Sequence, residues 1–192
     1  GIYNRAIGIL QDRVDGGLRG LGQILSNAGR LYLSAGQYEK AESTLRRAYE
    51  VSVRTRSSKH HEVATALNFL ALVKSRLGRH YEAVSDLTQG LSIRQEILGD
   101  DHPHTGITLA RLGDALHEIE KSDLAESTLR RGLGIVVAKL GSLHPESAGA
   151  MRQLGSMLLD RGNIAEGFEY LKTAAAAQQN YETFDFARFA SL

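Results

Sequence analysis

The chain has 192 residues, 42% of them hydrophobic, with two prolines, no cysteine and a formal net charge of +1. Without cysteine there is no disulfide framework, thiol nucleophile or thiolate metal site; this fits an intracellular, reducing setting, and the cytoplasm is the expected compartment. No apolar run approaches the ~18 residues of a membrane span, no signal peptide is visible, and β-branched residues do not gather in the alternating runs that mark strands.

One period governs the chain. The heptapeptide Ala41–Arg47 returns at Ala125–Arg131, 84 positions later, and histidines stand at 60, 102 and 144, spaced by 42. Aligning the sequence on Gly36, Gly78, Glu120 and Gly162 brings matching slots together without a gap. Leu25, Leu67, Leu109 and Met151 share a slot, as do Ala28, Leu70, Leu112 and Leu154. Small residues recur at Gly29, Ala71, Gly113 and Gly155, and again at Ala48, Gly90, Gly132 and Ala174. Apolar residues at intervals of three and four mark one face of a helix. Each period therefore predicts two amphipathic helices, the first stopping near its glycine, which tolerates the left-handed backbone of a helix end. Small residues on the buried face let the two helices approach closely. One pair cannot bury its own apolar face, so neighbouring pairs must share a core.

In chain order, residues 1–14 read as the second helix of a repeat whose first helix is missing. A glycine-rich connector follows, Asp15–Gly22, so that 1–19 forms a lead-in. Its glycines miss the G-x-G-x-x-G spacing and follow no strand, which argues against a phosphate loop. Four repeats are predicted over residues 20–178, at about 21–57, 61–99, 103–140 and 145–178. Pro103 and Pro145 suit the first turn of a helix, where the missing N–H costs nothing. Ala174–Ala177 are expected to end the last helix. The remaining segment, 179–192, with Tyr181, Phe184, Phe186 and Phe189, reads as a cap on the final repeat.

This pattern resembles the tetratricopeptide repeat, and its longer period is similar to that of the kinesin-light-chain subclass. There a long second helix leads to a Gly-Asp-x-His-Pro turn; Leu98–Pro103 fits this closely and Leu140–Pro145 fits well, whereas Ser58–His61 does not. The resemblance implies an all-α, right-handed superhelical solenoid of antiparallel helix pairs. It also implies a non-catalytic scaffold that holds a partner's peptide or helix in a concave groove lined by the first helices.

Carried over by register, groove candidates are Ser26, Arg30 and Ser34 in the first repeat, and Asn68, Leu72 and Arg76 in the second. The third offers Ile107, Asp114, His117 and Glu118, and the fourth offers Arg152 and Asp160. Formal charge follows a gradient: residues 1–96 carry 14 Lys/Arg and 9 Asp/Glu, a balance of +5, and residues 97–192 carry 9 and 13, a balance of −4. The groove candidates are accordingly basic at Arg30 and Arg76, then acidic at Asp114, Glu118 and Asp160.

Other chemistry is weakly encoded. His61-Glu62 and His117-Glu118 begin the H-E-x-x-H zinc motif, but Thr65 and Lys121 stand where its second histidine belongs. No nucleophile elbow or P-loop occurs. The basic stretch Arg54–His61 is short and lacks the interleaved aromatics of a nucleic-acid surface. The sequence thus predicts no catalytic residues, cofactor, metal or nucleic acid, and a protein partner. Rival readings are a connector subunit of a larger assembly that uses its ends, residues 1–14 and 180–192, and its convex face, and a regulatory domain of a longer signalling protein or enzyme.

Overall fold

The computed structural model describes the backbone of residues 18–189 and the side chains of residues 20–179. The predicted lead-in helix at 1–14 lies outside the described residues. Eight helices follow, with no strand among the described residues: α1 (Leu18–Ser34), α2 (Tyr38–Thr55), α3 (His61–Arg76), α4 (His80–Leu98), α5 (Pro103–His117), α6 (Ser122–Leu140), α7 (Pro145–Asp160) and α8 (Ile164–Phe189). The all-α expectation holds, and the helices alternate as the period requires. Two compact units divide the chain, residues 1–97 and 98–192.

Each first helix ends the same way. Gly36, Gly78 and Gly162 take φ of 70°, 74° and 81°, and Glu120 takes 61° in the slot where the others have glycine. The residue after each donates its N–H five residues back: Gln37 to Tyr32 O, Arg79 to Lys74 O, Lys121 to Leu116 O and Asn163 to Leu158 O, at 2.8–3.0 Å. This closes carbonyls that a helix end otherwise leaves open. A left-handed residue other than glycine costs roughly 1–2 kcal/mol, so the third repeat keeps this turn despite its sequence.

Helix starts are equally repetitive. His60, His102 and His144 precede α3, α5 and α7, and the Nδ1 of each accepts the backbone N–H two residues on, at 3.3, 3.1 and 3.2 Å. The 42-residue histidine period is therefore a period of helix caps.

In the first unit, α2 packs on both α1 and α3, and α1 also meets α3. Leu21 and Leu25 close on Ala48 and Ala66, and Ala41 and Leu45 close on Leu70 and Val73. Gly90 of α4 lies against Asn68 and Ala64 of α3. In the second unit α5 and α6 form the most extensive pair, α6 and α5 both meet α7, and α7 carries α8. The small-residue slots are the close approaches: a Cβ on Gly132 would lie 2.6 Å from Ala110 N and 2.7 Å from Gly106 O. Burying each core leucine contributes about 1.5–3 kcal/mol, and Leu45, Leu87, Leu129 and Leu154 are all fully buried.

Two boundaries differ from expectation. Helix α1 begins at Leu18, inside the predicted glycine connector; within it Leu21 and Leu25 are buried and outweigh the helix-weakening glycines. Helix α8 does not stop at Ala177 but runs unbroken for 26 residues to Phe189. No glycine or proline follows Gly167, so nothing in the sequence ends the helix there.

Candidate functional site

In the first unit, the ends of α1 and α3 and the start of α2 enclose a pocket of about 380 Å³ lined by Leu33, Ser34, Gly36, Tyr38, Leu72 and Arg76. The short turn at Gly36 brings the start of α2 back beside the end of α1, which places Tyr38 next to Leu33. Leu33, Leu72 and Tyr38 are half-buried and supply an apolar floor, while Ser34 and Arg76 stand at the exposed margin. Ser34 Oγ donates to Arg30 O at 3.0 Å. Arg30 and Arg76 are both exposed, and among the described residues neither has a carboxylate within ion-pair distance. The pocket is thus an apolar recess with one lining cation, Arg76.

The second unit is built differently. Its first helices, α5 and α7, are joined by three polar contacts: Arg111 Nη2 to Glu146 Oε2 at 3.7 Å, Gln153 Nε2 donating to Asp114 Oδ2 at 3.1 Å, and His117 Nε2 with Asp160 Oδ2 at 3.1 Å. Burial pushes the Asp114 carboxyl above its usual range, aided by Glu118, against the lowering effect of the Gln153 bond and of Arg152 and His117. Glu118 and Arg152 are exposed. Of the candidates, the structure therefore pairs His117 with Asp160 and ties Asp114 to the neighbouring helix.

Three candidates are not surface residues. Ser26 and Asn68 are each 1% exposed and Ile107 is 8% exposed. Asn68 Nδ2 donates to Ala64 O, within its own helix, at 2.9 Å. A helical wheel assumes one covered side, whereas α1 packs on α2 and α3, and α5 on α6 and α7. Sequence reasoning also missed Tyr38, two residues past the turn glycine; the signal was the turn itself, which folds that position back onto α1.

His60, His61 and Glu62 bring three donor atoms within 4.8 Å of one another, the described group nearest to a metal site. The His60 Nδ1 lone pair already accepts the Glu62 N–H, however, and a neutral imidazole has only one such lone pair. Arg56 lies 3.4 Å from the Glu62 carboxylate. The chemistry of this group is that of a helix cap with an ion pair. Among the described residues, no helix is long and apolar enough to cross a membrane.

Comparison with known proteins places these features in a family. Profiles of the tetratricopeptide repeat match residues 62–136 and 22–52. A tetratricopeptide-repeat-containing protein of Dictyostelium discoideum is 25% identical over 144 residues, covering 72% of this chain and 8% of that protein. The Arabidopsis thaliana protein KINESIN LIGHT CHAIN-RELATED 1 is 27% identical over 148 residues, 77% of this chain and 24% of its own length. Among solved structures, BtubC (BKLC) from P. vanneervenii superposes with a TM-score of 0.77 at 20% identity, covering 94% of this chain and 72% of that one. The chain spans less than a quarter of the length of these two curated relatives.

Proposed function

Because the chain belongs to the tetratricopeptide-repeat family, whose fold is that of a protein–protein interaction scaffold, we propose that it binds a partner's peptide or helix along its first helices and catalyses no reaction. The observation that carries this reading is the pocket of the first unit. An apolar side chain of the ligand enters between Leu33, Tyr38 and Leu72, and a neighbouring carboxylate meets Arg76 or Arg30. An exposed arginine on the lining of an apolar recess favours an acidic, amphipathic segment. Ser34 supplies a hydroxyl at the rim. In the second unit, Glu118 and Asp160, with Arg152, offer the ligand a surface of opposite balance. A cytoplasmic setting accords with the absence of cysteine and with the kinesin-light-chain-related relatives.

The test is fluorescence polarisation with a labelled acidic peptide carrying one leucine or phenylalanine. Arg76→Glu is expected to weaken binding by about 10–100-fold, the loss of one charged contact, and Leu72→Asp by a similar factor. Unchanged affinity in both variants would remove the pocket from the account.

The greater length of the curated relatives favours a second reading, a regulatory domain of a longer protein; a third is a connector subunit that assembles through residues 1–14 and 180–192 and its convex face. Removing either end would then abolish assembly while Arg76→Glu leaves it intact.

A further inference from the structure

We propose that Ser57 is a phosphorylation site for an arginine-directed serine kinase, in the turn that joins the first two repeats. The three such turns of the chain are equivalent by the 42-residue period, and two of them are latched. Gly99 and Gly141 take φ of 87° and 86°, and their carbonyl oxygens accept hydrogen bonds from Thr105 Oγ1 at 2.8 Å and Ser147 Oγ at 2.7 Å. In the first turn both parts of the latch are gone. Ser57 occupies the glycine slot, with φ of 157°, and Val63 stands where the other repeats have Thr105 or Ser147. The segment that has lost its latch is also the one that carries an exposed serine behind two arginines, Arg54-Thr-Arg-Ser57.

The neighbouring hydroxyls distinguish Ser57 further. Thr55 Oγ1 is half-buried and donates to Val51 O at 2.8 Å, so it is spent within α2. Ser57 and Ser58 are exposed, and neither hydroxyl has a hydrogen-bond partner among the described residues. Arg54 is exposed and has no carboxylate within ion-pair distance among the described residues. An acidic kinase cleft would engage an extended chain in which Arg54 lies about 10 Å before the acceptor serine. In the transfer, Ser57 Oγ bonds to the γ-phosphorus of Mg-ATP, the bond from that phosphorus to the β-bridging oxygen breaks, ADP leaves, and the serine proton passes to the kinase base.

The product has a consequence for the fold. Phosphoserine carries close to two negative charges and three strong acceptor oxygens, placed next to Arg56. Arg56 now offsets the buried carboxylate of Glu62 at 3.4 Å, and Glu62 Oε2 has no hydrogen-bond partner. A phosphate that draws Arg56 away leaves that carboxylate less compensated and loosens the first unit.

The test incubates the folded chain with the catalytic subunit of an arginine-directed serine kinase and Mg-ATP, then maps phosphate by mass spectrometry. One phosphate on Ser57 is expected, absent in Ser57→Ala, retained in Ser58→Ala, and slowed roughly tenfold or more in Arg54→Ala through loss of one charged contact. Far-UV circular dichroism checks that each variant is folded. The phosphorylated chain is expected to melt roughly 2–4 °C lower, with no such shift in the Arg56→Ala background. No phosphate on Ser57, or equal rates with and without Arg54, would overturn the site; an unchanged melting temperature would overturn its link to Glu62.

Discussion

Asp114 holds a carboxylate largely withdrawn from water, with one hydrogen bond, from Gln153. Burial raises its pKa in the folded chain. An acid whose folded pKa exceeds its unfolded pKa binds its proton more tightly in the fold, so its charged form costs stability above the folded value. That cost fades as pH falls through the folded pKa towards the unfolded one. Asp114→Asn keeps an oxygen for Gln153 and removes the charge. It is expected to be more stable than the parent chain at neutral pH, with the difference shrinking as pH is lowered through the carboxylate range. Thermal unfolding at several pH values reads this, and a difference that grew on acidification would contradict it. The neighbouring candidates show how far single residues could be read. Arg76 and Leu72 could be read as lying off the most buried stripe of their helix, and both line the recess. Ser26 and Asn68 were not, since their burial depends on residues far away in the chain.

The helix pair sets the spacing that everything else inherits. In α6, Gly132 and Gly134 are two residues apart and have opposite roles. A Cβ at Gly132 would meet the backbone of α5 at Ala110 and Gly106, whereas one at Gly134 has no atom within 4 Å. Gly132→Ala is therefore expected to lose roughly 1–3 kcal/mol through forced separation of α5 and α6. Gly134→Ala is expected to gain about 0.5–1 kcal/mol, because alanine loses less backbone freedom in a helix. Urea titration of the two variants provides the check; equal effects would mean that the small slot is not what holds the pair together. The recurrence of small residues made this slot legible without coordinates. The starts and stops were less so. Glu120 follows its glycine counterparts into the left-handed region because the same backbone hydrogen bonds close that turn.

At the scale of the chain, each of the two units has a core of its own. Leu109, Leu129, Val136, Leu154, Met157 and Leu158 of the second are buried. Residues 98–192 produced alone are expected to unfold as one cooperative transition, with the helical signal of a folded domain. A broad, gradual melt would show that this core does not suffice.

The amino-acid order alone determined the period, the helical class, the slots where helices touch and the turns between them. Those features arise from residues near one another along the chain, where 3.6-residue spacing and glycine's backbone freedom act. Tertiary structure decided which first-helix side chains reach solvent, that Tyr38 joins Leu33 and Leu72 around one recess, and that Asp114 and His117 are held by the next helix. Those outcomes depend on which helices lie side by side, and a surface is open or covered only in relation to its neighbours in space.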